Sequence, residues 1–244
     1  MVIENPWTGL RELTAARLAL GRCGHSLPTR ELLAFQLAHA RARDAVHQPL
    51  IDSSLMEIGL ANQPVLVLRS AAPDRATYLR RPDLGRRLDP ASLDRLSEHR
   101  REPDAWDAVV VIADGLSATA VHRNAAAVLD SLLPRLQHWR IGPCCIVHQG
   151  RVAIGDEIGE VLETQLVVVL IGERPGLSSA DSLGAYLTWA PRIGRSDAER
   201  NCVSNIRSGG LEPALAAQQI AVLMSAARDR KLTGVNLKTP PLLR

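Results

Sequence analysis

The chain has 244 residues, 46% of them hydrophobic, and a formal net charge of +3 at pH 7. This composition is typical of a globular protein and excludes a disordered or fibrous one. The small charge and the 3% of aromatic residues argue against a nucleic-acid partner, which calls for basic and stacking surfaces. The four cysteines have neither zinc-site spacing nor the density of a disulfide scaffold, and we expect reduced thiols at Cys23, Cys144, Cys145 and Cys202.

Nothing in the sequence indicates a membrane protein or a secreted one. The longest apolar run, residues 166–171, lies between Glu163 and Glu173 and is far shorter than the roughly 18 residues of a membrane span. The N-terminal residues include Glu4 and lack the basic and apolar regions of a secretory signal. We therefore expect a cytoplasmic protein with no membrane partner.

The first part of the chain has a helical pattern. Between residues 5 and 48, apolar residues recur at helical intervals on both sides of a break at 21–28, which predicts a helical hairpin. Thr29 is a candidate N-cap for the second helix. The pattern changes near Pro64, so we predict a helical N-terminal segment at 1–63 and a second domain at 64–244. The segment could pack on its own sheet or contact another subunit, and the sequence favours neither strongly.

The second domain alternates short β-branched runs with stretches of helical length, which predicts βα units. The runs lack polar alternation, as expected of central parallel strands that are covered on both faces. We predict an α/β fold with a three-layer, doubly wound, mostly parallel sheet of the Rossmann type. The predicted strands are residues 65–68, 109–112, 144–147 and 166–171, and the predicted helices are 89–98, 117–136 and 210–231.

Two details of this domain are less regular. Residues 151–154 follow 144–147 closely, and together they suggest a hairpin or an excursion at the sheet edge. In the last helix, Gly234 is a possible stop signal. The side chains expected on its buried side are Leu215, Ile220, Leu223 and Met224.

Two loops at strand exits are the first candidates for a ligand site, because open parallel sheets bind ligands beyond the carboxyl ends of their strands. Asp114-Gly115 follows one predicted strand and Gly172-Glu173 follows another. Both carboxylates could point into one cleft and accept hydrogen bonds from amides or hydroxyls. Alternatively, Asp114 could cap the next helix, and Glu173 could pair with Arg174 or Arg192.

Two further segments are polar. Residues 200–210 concentrate small, amide and hydroxyl side chains, as a contact surface would. Cys202, within this segment, has no histidine nearby in the sequence and is a poor candidate for a nucleophile. Residues 80–88 form a basic turn that could bind an acidic surface or a phosphate, or could simply be a solvated loop.

Several familiar catalytic motifs are missing from the sequence. The seven histidines show no metal-binding spacing, so we predict no metal site. No dinucleotide-binding glycine motif follows a strand, and neither a phosphate-binding loop nor a nucleophile elbow is present. Motifs alone therefore leave the reaction undefined.

Six sequence segments, taken together and in this order, resemble the small subunit of ethanolamine ammonia-lyase, an enzyme family that depends on adenosylcobalamin. The likeness spans nearly the whole chain, and G-E-R-P-G-L is its most specific element. The segments are L-P-T-R-E-L-L-A-F-Q-L-A-H-A-R-A-R-D-A-V (27–46), Y-L-R-R-P-D-L-G-R-R-L (78–88), D-G-L-S (114–117), G-E-R-P-G-L (172–177), C-V-S-N-I-R (202–207) and G-V-N-L-K (234–238).

The resemblance implies a hetero-oligomer. In that family the large subunit is a β/α barrel that holds the substrate and the radical chemistry, and the small subunit helps to enclose the coenzyme at the interface. The reaction implied is the conversion of ethanolamine to acetaldehyde and ammonia. This chain would then supply no catalytic residue. Packaging extensions of some family members are not visible before Asn5-Pro6-Trp7, so residence in a bacterial microcompartment is in doubt.

The resemblance also implies which residues contact the coenzyme. The family's contacts in this subunit fall on Val152, Glu173 and Cys202. We expect Glu173 to accept a hydrogen bond from the coenzyme, and Val152 and Cys202 to supply apolar and backbone contacts. Two alternatives remain: a non-catalytic corrinoid- or nucleotide-binding module on a doubly wound sheet, and a basic interaction protein that uses residues 80–87.

Overall fold

The computed structural model describes residues 2–3, 5–14, 16–56, 63–100 and 105–238. Within these ranges, one six-stranded sheet runs in the order β1-β3-β2-β4-β5-β6. The strands are β1 (Val65–Arg69), β2 (Ala108–Ala113), β3 (Ile141–His148), β4 (Leu166–Gly172), β5 (Leu183–Trp189) and β6 (Arg200–Ile206). The helices are α1 (Thr29–His47), α2 (Ser53–Met56), α3 (Arg75–Arg80), α4 (Pro90–Ser97), α5 (Ala118–Leu132), α6 (Ile154–Val161) and α7 (Pro213–Arg230).

Both faces of the sheet are covered by helices, which explains the uniformly apolar strands. In β2, Val110 and Ile112 pack with α5 and α7 on one face. The alternate residues Val109 and Val111 pack with α4 and α6 on the other. Strands β1, β3, β2 and β4 are parallel. The predicted α/β fold with a mostly parallel sheet is therefore confirmed.

Two strands extend the sheet beyond the predicted ones. Strand β5 runs antiparallel to β4, and β6 runs antiparallel to β5. The sequence did not indicate β6 because it lies at the sheet edge, where only Arg200, Val203 and Ile206 of its seven residues are buried. The polar segment 200–210 thus begins as an edge strand and continues into a turn.

The hairpin or edge excursion predicted for residues 144–154 is wrong. Strand β3 lies inside the sheet, parallel to both β1 and β2. Residues 151–154 instead lead into α6, where Ile154 and Ile158, four residues apart, are both fully buried against the sheet. The four-residue spacing of these buried side chains is that of a helix. The short connection after β3, which had suggested a hairpin, does not override it.

The helical hairpin predicted for residues 5–48 is also wrong in its first half. The described residues before α1 contain a short 3-10 helix at Thr8–Glu12 and isolated bridges such as Ile3 with Arg22. Within the predicted first helix, Ala19 has a positive φ angle of 50°, which a helix does not accept, whereas Gly21 and Gly24, at 76° and 61°, lie in the predicted break. Helix α1 starts at Thr29 with Pro28 in the N-cap position, so Thr29 is not the cap. The seam predicted near Pro64 borders residues 57–62, which lie outside the described residues.

The last helix, α7, matches its prediction in part. Ile220 and Met224 are buried as expected, but Leu215 is 54% exposed. The helix ends at Lys231, which takes the left-handed conformation at φ 55°, three residues before Gly234. Among the helices described, none combines the length and apolarity that a bilayer crossing requires.

Candidate cofactor-binding site

A cleft of about 360 Å³ opens at the carboxyl ends of β2 and β4. Val152 and Glu173, two residues predicted from the sequence, both line it. The complete lining is Tyr78, Gly115, Leu116, Arg151, Val152, Ile171, Gly172, Glu173, Arg174 and Tyr186. The cleft therefore lies where an open parallel sheet normally binds its ligand.

Two glycines bring the exits of β2 and β4 into backbone contact. The Leu116 N–H donates to the Gly172 carbonyl at 2.9 Å. Gly115 adopts φ +55°, and a Cβ on it would lie 2.3 Å from the Gly172 oxygen. A Cβ on Gly172 would lie 2.1 Å from the Ser117 oxygen. Since these neighbours are backbone atoms, side chains cannot be accommodated here by rotamer changes.

Replacing Gly172 by alanine is therefore expected to lower the free energy of unfolding by about 1–3 kcal/mol, because the added methyl group displaces packed backbone. Urea denaturation followed by circular dichroism measures the loss. Gly9→Ala is the control, since a Cβ there meets no atom within 4 Å. Equal stability of Gly172→Ala and the wild type would contradict the tight packing of the two exits.

Asp114 lies beneath the cleft and does not line it. Its Oδ2 pairs with Arg75 Nη1 at 3.2 Å, and its Oδ1 accepts from the Gly150 N–H at 3.1 Å. Burial raises the pKa of Asp114, and the Arg75 charge opposes that rise. Ser117, not Asp114, caps α5 by accepting from the Ala120 N–H. Asp114 thus positions the loop that leads to Val152, and the expectation that it faces the ligand is wrong.

Glu173 is half-buried on the cleft wall. Its Oε2 accepts from the Ser182 hydroxyl at 2.5 Å and from the Asn205 N–H at 3.4 Å. These donors orient the carboxylate from the protein side. The ion pairs among the described residues do not join it to an arginine, so Oε1 remains able to accept from a ligand.

Cys202 lies beside the cleft without lining it. It pairs in register with Tyr186 of β5. Partial desolvation raises the pKa of the Cys202 thiol, so it is protonated at neutral pH and a poor nucleophile. The structure thus brings Val152 and Glu173 together on one cleft, with Cys202 on the neighbouring strand.

Sequence reasoning missed three residues of the cleft wall, namely Tyr78, Arg151 and Tyr186. Tyr78 is fully buried and donates its hydroxyl to the Gly150 carbonyl at 2.9 Å. The Arg151 guanidinium carbon lies 4.2 Å from the centre of the Tyr78 ring. A usable signal was the scarcity of aromatics, because both tyrosines of the chain, Tyr78 and Tyr186, line this cleft.

The geometry defines a class of protein before any comparison is made. In the described part of the chain, no three His, Cys, Asp or Glu side chains are grouped as metal ligands. The cleft is open and combines apolar side chains with one carboxylate and two arginines. A cleft at the carboxyl edge of an α/β sheet is the usual location of a ligand site in this class of protein.

Comparison with known proteins identifies the family. Residues 4–238 match the model of the ethanolamine ammonia-lyase light chain (EutC). A protein of Azotobacter vinelandii named ethanolamine ammonia-lyase small subunit is 56% identical over 240 residues, which cover 96% of this chain and 88% of that protein. Proteins of the same name from Pseudomonas aeruginosa (55% identical, 96% and 88% covered) and Ralstonia nicotianae (53%, 97% and 89%) are similar. The chain belongs to the ethanolamine ammonia-lyase light chain family.

Proposed function

We propose that this chain is the small subunit of an adenosylcobalamin-dependent ethanolamine ammonia-lyase and that its cleft binds one side of the coenzyme. As a member of the family, the chain is a subunit of a carbon–nitrogen lyase. The observation that carries the finer proposal is the presence of Val152 and Glu173 on one cleft, with Cys202 one strand away.

The size of the cleft supports a shared binding site. A drug-sized ligand usually fills a pocket of about 300–1,000 Å³. Adenosylcobalamin is much larger than such a ligand, whereas this cleft has about 360 Å³. The chain can therefore hold only one side of the coenzyme, and the large subunit would cover the rest.

The chemistry of the cleft suits the edge of a corrin ring, which carries many amide groups. Oε1 of Glu173 can accept a hydrogen bond from an amide, and the Arg174 guanidinium can donate to an amide carbonyl. Val152, Leu116 and Ile171 offer apolar contact. The coenzyme supplies the radical chemistry that converts ethanolamine to acetaldehyde and ammonia. The residues of this chain bind and orient the coenzyme.

The N-terminal segment supports contact with a large subunit. In α1 only Ala45 is buried, although much of the helix is apolar. Leu33 and Leu37 are 58% and 52% exposed. Apolar side chains at this density on one exposed helix mark a protein interface. We therefore assign the segment 1–63 to subunit contact and 64–244 to the coenzyme-contacting domain.

The test of this function is equilibrium dialysis of adenosylcobalamin against the chain alone, the large subunit alone and the complex. We expect tight binding only by the complex, accompanied by the absorption spectrum of a bound corrinoid. Equally tight binding by this chain alone would instead favour the independent corrinoid-binding module.

Replacing Glu173 by glutamine is expected to weaken binding of adenosylcobalamin to the complex by about 1–3 kcal/mol, because the half-buried side chain loses its charge and one of its two acceptor oxygens. The matched control is Asp181→Asn. Asp181 pairs with Arg123 at 2.7 Å and does not line the cleft. If the complexes with Glu173→Gln and with Asp181→Asn bind adenosylcobalamin equally tightly, Glu173 has only a structural role in holding Ser182.

A further inference from the structure

A second cavity lies next to the cleft and shares Arg151 and Val152 with it. Its volume is about 290 Å³. It includes Arg86 from the basic segment 78–88, whose role the proposed function leaves open. The lining is Pro82, Arg86, Arg151, Val152, Ala153, Arg195, Ser196, Asp197 and Arg200.

Four arginines line this cavity, and two of them are neutralised within the protein. Arg200 forms a two-point ion pair with Asp156, with both distances 2.6 Å. Arg195 pairs with Glu199. A third carboxylate, Asp197, lies 3.4 Å from Arg200 Nε and is almost fully exposed. The charges of Arg86 and Arg151 remain against the single charge of Asp197, so the cavity keeps a net positive charge.

Arg86 is exposed, and its guanidinium has no hydrogen bond or ion pair with another residue in the described ranges. Its neighbour Arg87 differs, because it pairs with Glu157 at 2.9 Å. An arginine that lines a cavity without a protein partner keeps all its donors available for a ligand.

Arg151 is held in place by a built arrangement. The backbone N–H of Arg151 donates to the Gly85 carbonyl at 2.7 Å, and its side-chain Nη2 donates to the Tyr78 carbonyl at 3.3 Å. A Cβ on Gly85 would lie 2.8 Å from both the Arg151 side chain and the Tyr78 ring, so only glycine leaves this space. The Arg151 Nε is buried without a hydrogen-bond partner among the described residues. The Tyr78 ring under the guanidinium offsets part of the cost of this unmatched donor and fixes the orientation of the Arg151 side chain.

We propose that the cavity with Arg86 and Arg151 binds a phosphate group. Resting on the proposed function, we assign this group to the phosphodiester in the nucleotide loop of the coenzyme. Guanidinium groups bind phosphate oxygens through paired, charge-assisted hydrogen bonds. Because Arg151 and Val152 line both cavities, one ligand can extend from the cleft into the phosphate site.

The test compares two corrinoids on the complex with the large subunit. Adenosylcobalamin carries the nucleotide loop, and adenosylcobinamide lacks both the loop and its phosphodiester. We expect Arg86→Gln to raise the dissociation constant of adenosylcobalamin about tenfold or more and to leave that of adenosylcobinamide unchanged. For each corrinoid, the dissociation constant of the variant is divided by that of the wild type. Comparing these two ratios removes the difference in affinity between the corrinoids themselves.

Arg80→Gln is the matched control, because Arg80 belongs to the same segment, is exposed and lies outside the cavity lining. It should affect neither corrinoid. Equal losses of both corrinoids in Arg86→Gln, or no loss of either, would overturn the assignment to the coenzyme. If wild-type complex fails to bind adenosylcobalamin at all, the proposed function itself is wrong.

Inorganic phosphate, titrated into the complex by calorimetry, separates the two sources of phosphate. Saturable binding that Arg86→Gln abolishes, with both corrinoids unaffected, would show that the cavity takes free phosphate. Absence of phosphate binding together with unchanged corrinoid affinities would overturn the phosphate site altogether.

Discussion

Replacing Arg200 by methionine is expected to lower the free energy of unfolding by about 3–5 kcal/mol, because it leaves a buried carboxylate without its cation. Arg200 and Asp156 have side chains that are each 2% exposed, and the pair joins β6 to α6. Arg200 also donates to the Thr188 hydroxyl of β5 at 2.9 Å. Urea or thermal denaturation of the purified chain measures the loss.

The control for this change is Arg81→Met, which removes an ion pair of a different kind. Arg81 and Asp83 are 2.7 Å apart, but their side chains are 61% and 58% exposed. Exposed pairs of this type contribute about 0–1 kcal/mol. A loss in Arg200→Met no larger than in Arg81→Met would show that the buried pair does not hold the edge strand.

The deficit of Arg200→Met should depend on pH. Burial raises the pKa of Asp156, and losing Arg200 removes the main opposing influence. A carboxyl group whose pKa is higher in the folded state binds more protons there, so stability falls as pH rises through the interval between the two pKa values. We therefore expect a smaller deficit at about pH 5 than at about pH 8.

Replacing Leu33 by aspartate is expected to weaken association with the large subunit by about 3 kcal/mol or more, over a hundredfold in the dissociation constant. Leu33 is 58% exposed on α1, where we place the subunit contact. Docking would bury the new carboxylate in an apolar interface without a partner. Analytical ultracentrifugation or biolayer interferometry with the purified large subunit measures the change.

Leu215→Asp provides the matched control, because Leu215 is 54% exposed on α7 in the coenzyme-contacting domain. The same substitution there should leave association unchanged. Full affinity of Leu33→Asp for the large subunit would remove α1 from the interface. Circular dichroism of both variants checks that each remains folded.

Three of the four predicted strands, β2, β3 and β4, lie inside the sheet, where burial on both faces forces an unbroken apolar pattern on them. In β4, for example, all seven residues are buried. Strand β6 lies at the sheet edge, and its buried residues Arg200, Val203 and Ile206 are three positions apart and do not alternate, so it resembled a loop in the sequence. The described residues before Thr29 misled for another reason: their leucines suggested a helix, whereas Ala19 takes a left-handed backbone conformation that interrupts one.

For the candidate site, the rule about strand ends located the cleft, and Glu173 lines it as that rule predicts. The rule failed for Asp114, because sequence cannot show that Arg75, 39 residues earlier, lies within 3.2 Å of it. Val152 had no signal of its own and was found only through the family resemblance. The packing of Arg151 on Tyr78 likewise depends on contacts between residues 73 positions apart.

The backbone contact between the turn after β2 and Gly172 has a consequence for assembly. The Leu116 N–H is hydrogen-bonded to the Gly172 carbonyl, and no side chain separates the ends of β2 and β4. This part of the cleft therefore has its final shape before any ligand binds. Binding then requires no ordering of this wall, which removes one of the usual entropic penalties of association. The small subunit would act as a rigid template, and any adaptation during assembly would occur in the coenzyme and in the second chain.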